Sequence, residues 1–398
     1  MKRDNMVKFR AHQSMIILKL LTAYLVSLFY KKREIWLIGE RGVDACDNGY
    51  WLFTYIKKNH PEIDVRYIIS NDSVDRRRLL QYENALVDYR SFKHCLLLWR
   101  ATHLISTHVQ GYAPFVGLGI WMNKHIKPYN LKWHIDLKHG VTKDKLTFVE
   151  YSNTLIDLLI CAAKPEYDYM LKTFGFPEGN LQYTGFCRFD NLFDVSIKPQ
   201  ILIMPTWREW IYSDKLFASS EFAKVYSDLL VDPELNELLE KNDINLVFYP
   251  HHEIQRYIGE FKKLPVGSHV IIADKANYDL QQMLKESAVL VTDYSSVFFD
   301  FAYMKKPVLY FQFDYERYRS EHLVEGYFDY HKGFGPVLQS KQDLLASLQR
   351  IIQNEFKVEK EYLDRIEEFF PLHDNKNTER VYNCIVAMTS ARKKSCTM

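Results

Sequence analysis

The sequence predicts an α/β chain built as two doubly wound, Rossmann-like domains facing a cleft. Three observations predict it. Short apolar runs of β type alternate with helical patterns along the whole chain, the signature of βαβ units and parallel sheets. The alternation breaks near residues 190 to 199 and then restarts, giving two series. The length, 398 residues, suits two domains.

In the first series, IWLI (35 to 38) is a strand and NGYWLFTYIKKN (48 to 59) a helix. VRYII (65 to 69) is the next strand, followed by a charged helix around DRRRLLQY. HLIS (103 to 106), LKWHIDL (131 to 137), LLICAA (158 to 163) and LQYT (181 to 184) continue it. The second series has strands at ILIMP (201 to 205), NLVFYP (245 to 250), HVIIA (269 to 273), AVLVT (288 to 292) and PVLYF (307 to 311). Helices lie between them and close the series with two near 341 to 369. The expected divisions are an N-terminal helix (1–33), a first domain (34–195), a second domain (196–375) and a C-terminal helix with a basic tail (376–398).

Composition excludes several classes. The chain is 47% hydrophobic and 26% charged, normal for a globular protein with a real core. A net charge of +2 gives no global attraction to nucleic acid. The six cysteines (46, 95, 161, 187, 384 and 396) form no CxxC pair. They mark neither a zinc site nor a disulfide framework, and suit a reducing cytoplasm.

Residues 15 to 30, MIILKLLTAYLVSLFY, are flanked by Lys8, Arg10, Lys31, Lys32 and Arg33. The run falls short of the roughly 20 apolar residues of a spanning helix and contains Lys19. No small-residue cleavage site follows, as a signal peptide would need. Two readings remain: a helix lying in a membrane interface, or a helix packed on the first domain. Lys19, Ala23 and Ser27 share one side at helical spacing, which tilts the balance toward the interface.

In open α/β sheets ligands bind beyond the carboxyl ends of the strands, and five strand ends here carry polar groups. After LKWHIDL comes KHG, with His139; after LQYT comes GFCRFD, with Arg188 and Asp190. After ILIM comes PTWRE, with Arg208; after NLVFYP come His251 and His252; after AVLV comes TDYSS, with Asp293, Ser295 and Ser296. If a helix runs from 295 to 304, the serines sit at its start, where unpaired N–H groups and the dipole favour phosphate. Simple N-capping is the plainer alternative. Neither GxGxxG nor GxxxxGK[ST] is nearby, so this is not a standard nucleotide fingerprint. Asp300, an acid inside an apolar helix, calls for a partner, an Arg or the hydroxyls of a sugar such as a nucleotide ribose. His139 and His251 are candidates for general-base work, each with an ordinary structural role as the alternative. Arg188 and Arg208 are suited to clamp phosphate oxygens. Their alternative is a salt bridge, for instance Arg188 with Asp190.

The set HG (139–140), GFCRFDN (185 to 191), PTWR (205 to 208), YPHH (249 to 252) and TDYSSVFFDF (292 to 301) resembles the bacterial CDP-glycerol glycerophosphotransferase family. That family comprises the teichoic acid primases and polymerases and their capsule-pathway relatives. GERGVDACDNGYWLF (39 to 53) and HDNKNTERV (373 to 381) extend the resemblance over most of the chain, from about residue 35 to 385. TDYSS is its most specific piece. Two departures stand out: HGVT where members often read HGTP, and HH where they commonly read HP or HY.

The resemblance implies a GT-B fold, with an acceptor domain first and a CDP-donor domain second. It implies that His139 is the base, that His251 sits near the diphosphate, and that TDYSS holds the diphosphate. An acceptor hydroxyl would attack the phosphorus next to glycerol and CMP would leave, a reaction that asks mainly for positioning and charge stabilisation. The implied partners are CDP-glycerol or a related CDP-polyol, a lipid-linked saccharide acceptor, and the cytoplasmic face of the cell membrane, bound peripherally through residues 6 to 33. No cofactor and no metal site are expected. The competing readings are a nucleotide-sugar glycosyltransferase on the same fold and a non-catalytic polymer-binding protein.

Overall fold

The computed structural model describes residues 2–193, 196–321 and 326–395, with side chains described between Gln13 and Ser390. The chain divides into two compact units. The first comprises residues 1–141, 146–191 and 374–398; the second comprises 142–145 and 192–373. The last helix, Asn377–Ser395, thus belongs with the first unit.

The first unit holds a parallel seven-stranded sheet. Its strands are β1 (Ile35–Gly39), β2 (Asp64–Ile68), β3 (Leu86–Val87), β4 (His103–Ser106), β5 (Trp133–Asp136), β6 (Leu158–Cys161) and β7 (Leu181–Tyr183), in the order β3-β2-β1-β4-β5-β6-β7. The second unit holds a parallel six-stranded sheet of β8 (Lys198–Met204), β9 (Asn245–Phe248), β10 (Val270–Ile272), β11 (Ser287–Thr292), β12 (Val308–Phe311) and β13 (Val337–Leu338), ordered β10-β9-β8-β11-β12-β13. Every strand pair in both is parallel. Each order reverses direction once, between β1 and β4 and between β8 and β11. Those reversals are where open sheets leave a crevice at their carboxyl edge.

β3 and β13 escape the sequence pattern because each is two residues long. The charged helix expected around DRRRLLQY is instead a run of 3-10 turns, Val74–Ala85, kinked at Tyr82. Only Leu79 and Ala85 of that segment are buried, so no apolar stripe holds it as an α-helix.

The N-terminal helix, α1 (Lys2–Ser27), corrects the sequence reading of its faces. Lys19 and Ala23 lie on the protein-facing side. Lys19 Nζ donates to the Arg90 carbonyl at 3.2 Å, and Ala23 is buried. Ile16 and Leu20 join them in the core with Cys95 and Leu98 of α3 (Phe92–Arg100). Trp99 Nε1 donates to the Leu20 carbonyl at 2.8 Å. Burying Ile16 and Leu20 contributes about 1.5–3 kcal/mol each. The outward side is apolar: Leu18, Leu21 and Leu25 are 62, 59 and 59% exposed, and Phe29, just past the helix, is 90% exposed. The lysine faces inward because a backbone carbonyl there satisfies its ammonium. The flanking Lys8 and Arg10 side chains, and Cys396, lie outside the described residues. Among the described residues no helix is long and apolar enough to cross a membrane.

Candidate functional site

In the second unit, the register of β8 with β11 sets Met204 beside Thr292. The PTWR and TDYSS segments therefore leave adjacent strands at the reversal point. They are stitched together from below. Asp293, buried, accepts from the Thr206 and Tyr294 amides at 2.8 and 2.6 Å. Arg208 Nη2 lies 2.9 Å from Asp293 Oδ2, and its Nε donates to Asp314 Oδ2 at 2.6 Å. The Tyr294 hydroxyl donates to Asp314 Oδ1 at 3.1 Å, while the Tyr294 ring stacks on Tyr318 with centroids 3.6 Å apart. Burial acts to lower the Arg208 pKa, but the two carboxylates outweigh it and hold the guanidinium charged. The Arg208 side chain is 0% exposed. The sequence expectation that it clamps substrate phosphate is thus corrected: its charge is spent on two buried acids that shape the TDYSS turn. Asp293 belongs to the same buried cluster, away from solvent.

The helix after TDYSS runs Val297–Tyr303, two residues later than the sequence suggests. Ser296 makes no side-chain capping bond, and Ser295 Oγ accepts only a long 3.4 Å bond from the Val297 amide. Both serines are partly exposed, so capping accounts for little of either. Asp300 is buried within the helix.

His251 follows β9. Its amide donates to the Pro205 carbonyl at 3.1 Å, fixing it against the PTWR turn. Its ring is near-parallel to Trp207 at 6.4 Å between centroids and lies 4.2 Å from the His252 ring. His252 points to Glu253, Nε2 to Oε1 3.3 Å, on an exposed surface. The carboxyl edge of this sheet thus gathers His251, the serines and the Asp293–Arg208 support around one reversal point.

In the first unit, His139 is presented by an unusual turn. Lys138 adopts a left-handed φ of +54°, which disfavours most side chains. Three bonds hold it there. Its amide donates to Asp136 Oδ1 at 2.8 Å, its carbonyl accepts from Asn48 Nδ2 at 2.6 Å, and its ammonium pairs with buried Glu166. Asp136 itself is pushed up to about 6 by burial. The next side chain, His139, is 61% exposed. Its ring stacks on His108, centroids 4.8 Å apart and 8° from parallel. Its Nδ1 lies 3.9 Å from Asp47 Oδ2.

Arg188 also meets Asp47, with Nη1 3.0 Å from Oδ1. Its amide donates to Asn48 Oδ1 at 3.0 Å. Asp190 instead accepts from the Asn377 and Thr378 amides at 2.8 and 2.7 Å, and Thr378 Oγ1 donates to the Cys187 carbonyl. The GFCRFDN and HDNKNTERV segments are therefore each other's structural partners. Gly185, at φ +82°, sits where an added Cβ would come within 1.8 Å of Asn377 Oδ1.

Sequence reasoning missed Asp47, Asn48 and His108. Asp47 and Asn48 open α2 (Asn48–Asn59), where Asp47 accepts from the Asn48 amide, so they read as ordinary capping residues. His108 follows β4 and obeys the strand-end rule used for the others. Glu40 is likewise unmarked in sequence. It is fully buried, accepts from the amides of Cys46, Asp47 and Tyr50, and is pushed up to about 8 by burial and by Asp47. Among the described residues no group of three or more His, Cys, Asp or Glu side chains is gathered to hold a metal ion.

The sequence profile of the CDP-glycerol:poly(glycerophosphate) glycerophosphotransferase family matches residues 20–387. The minor teichoic acid biosynthesis protein GgaB of Bacillus subtilis (strain 168) is 34% identical over 380 residues, covering 91% of this chain and 41% of GgaB. A teichoic acid poly(glycerol phosphate) polymerase of the same organism is 28% identical over 193 residues, covering 47% of this chain and 24% of the polymerase. The chain thus spans less than half the length of either relative. A structure of the wall teichoic acid polymerase TagF soaked with CDPG superposes with a TM-score of 0.66 at 19% identity, covering 100% of both chains. That likeness gives the fold: two doubly wound parallel-sheet units of the GT-B class.

Proposed function

The chain belongs to the CDP-glycerol:poly(glycerophosphate) glycerophosphotransferase family, and we propose that it transfers glycerol phosphate from CDP-glycerol to a hydroxyl of a lipid-linked saccharide or growing polymer in teichoic acid or capsule synthesis. The observation that carries the reading is His139, held on a strained, three-point-anchored turn at a strand end with its ring toward solvent. An acceptor oxygen attacks the phosphorus next to glycerol. The new P–O bond forms as the bond to the CMP oxygen breaks, the acceptor proton passes to His139, and CMP leaves with the other electron pair. On the donor side, His251, Ser295 and Ser296 hold the phosphates and Asp300 takes the ribose. Arg208 and Asp293 support that turn from beneath. Arg188 acts on Asp47 rather than on phosphate.

The acceptor fits a membrane location. The outward apolar side of α1, with Leu18, Leu21 and Leu25, lies in the cytoplasmic membrane surface while its inner side stays packed on α3.

Incubation with a panel of CDP-glycerol, CDP-ribitol and nucleotide sugars tests the proposal. CMP release from a CDP-polyol supports it; turnover of a nucleotide sugar alone overturns it in favour of a glycosyltransferase. H139A should slow transfer roughly 10²–10⁴-fold with donor affinity kept, whereas H251A should lose donor affinity as well.

A further inference from the structure

Asp47 is the acid that faces the His139 ring. Its two oxygens are divided: Oδ1 is 3.0 Å from Arg188 Nη1 and Oδ2 is 3.9 Å from His139 Nδ1. Its backbone is fixed as well. The Asp47 amide donates to Glu40, and its carboxylate caps the Asn48 amide at 2.8 Å. Asn48 in turn ties the Lys138 carbonyl to the Arg188 amide, so the acid, the arginine and the histidine are registered by one buried side chain.

We infer that Asp47 is the positioning residue of the acceptor-side base: it holds Nδ1–H of His139, so that the lone pair sits on Nε2, and it stabilises the imidazolium formed when the acceptor proton arrives. A gap of 3.9 Å is long for a hydrogen bond, but catalytic bonds are often long before substrate binds and tighten in the complex. Arg188 holds the Asp47 carboxyl group in place. His108 stacks on a face of the ring and is kept neutral. Burial, then His139 and Arg41, push its pKa down to about 2. The ring that accepts the proton is therefore stacked on an uncharged neighbour and has the Asp47 carboxyl group beside its Nδ1.

Other charged groups lie on neighbouring elements: Glu40 and Arg41 follow β1, Asp136 ends β5 with Lys138 just after it, and Arg188 follows β7. Of these, Glu40 and Asp136 are pushed toward their neutral forms. Asp47 Oδ2 lies 3.9 Å from the imidazole Nδ1.

The inference rests on the reading of His139 as the base, and the test separates the two. D47N keeps a good helix cap, since Asn and Asp rank alike there, but removes the charge. kcat and kcat/KM for CDP-glycerol turnover are measured from pH 5.5 to 9 for the wild type, D47N, H139A and the double variant. Melting curves confirm folding. D47N should lower kcat about 10- to 100-fold with donor affinity kept. Loss of the anion also lowers the imidazole pKa, so the acidic limb of kcat/KM should move down by about 0.5–1 pH unit. In the H139A background, D47N should cost little more, because the two act as a unit. Near-normal turnover of H139A removes the base and this inference with it. An inactive H139A beside a D47N that matches the wild type in rate and limb overturns this inference alone. Equal fold-losses from D47N in both backgrounds also overturn it, because Asp47 would then act independently of His139.

Discussion

Replacing Arg208 by alanine should destabilise the second unit far more than it weakens donor binding directly. The guanidinium is fully buried and serves two buried acids, Asp293 and Asp314, at 2.9 and 2.6 Å. It also donates to the Thr206 carbonyl at 2.7 Å. Removing one partner of a buried ion pair costs about 3–5 kcal/mol, because the remaining charge is left uncompensated. Two acids and a carbonyl are abandoned here, so the upper end applies. For a unit of this size 1 kcal/mol corresponds to about 2–4 °C, which predicts a loss of about 10–20 °C in the melting transition. R208M combined with D293N and D314N removes all three charges and should recover much of that loss. Thermal melts by circular dichroism read the stability. Calorimetric titration with CDP-glycerol below the transition reads the affinity. The reasoning fails if R208A melts within a few degrees of the wild type yet no longer binds donor, since the guanidinium would then be spending its charge on the ligand.

S295A/S296A should weaken CDP-glycerol binding by about 1.5–3 kcal/mol for each hydroxyl bonded to phosphate, with little change in melting because Ser296 makes no cap bond; unchanged affinity with lower stability would return both serines to the turn. Replacing Leu18, Leu21 and Leu25 by Gln should cut sedimentation with anionic liposomes more than tenfold, each buried leucine contributing about 1.5–3 kcal/mol, while Ile16 and Leu20 keep the helix folded; equal sedimentation of both proteins would refute the surface reading. Glu40 is raised from its ordinary 4.5 to about 8, so its contribution favours the fold below pH 4.5 and is lost as pH rises toward 8. Urea midpoints should therefore fall across that window, and E40Q should flatten the slope while costing stability, since its amide would face backbone N–H donors; a slope unchanged by E40Q would assign the pH dependence elsewhere.

Period and punctuation made most strands legible. HLIS and the helix NGYWLFTYIKKN lie at the residues the pattern marks, because a short apolar run and a longer helical pattern tell strand from helix. What the pattern could not hold was pairing across distance. Arg188 reads as a phosphate clamp or a local salt-bridge partner, yet it meets Asp47, 141 positions away. Arg208 reads as a surface clamp because nothing local marks the acids at 293 and 314. The polar side of α1 reads as a solvent face, yet it points inward where the Arg90 carbonyl meets Lys19. In each case a long-range partner decided which way a charged side chain turned, and periodicity carries no such information. Legible from the start was the convergence of polar residues at strand ends, which placed His139, His251 and the serines at carboxyl edges.

The bonds from Asn377 and Thr378 to Asp190 join residues 187 and 188 positions apart. On a ribosome, at roughly 5–20 residues per second, Asp190 waits about 10–40 s for those partners. Residues 192–373, all of the second unit except 142–145, are synthesised within that interval. The unit begun first is therefore completed last. A nascent chain halted before Asn377 carries all of the second unit and a first unit whose closing helix does not yet exist.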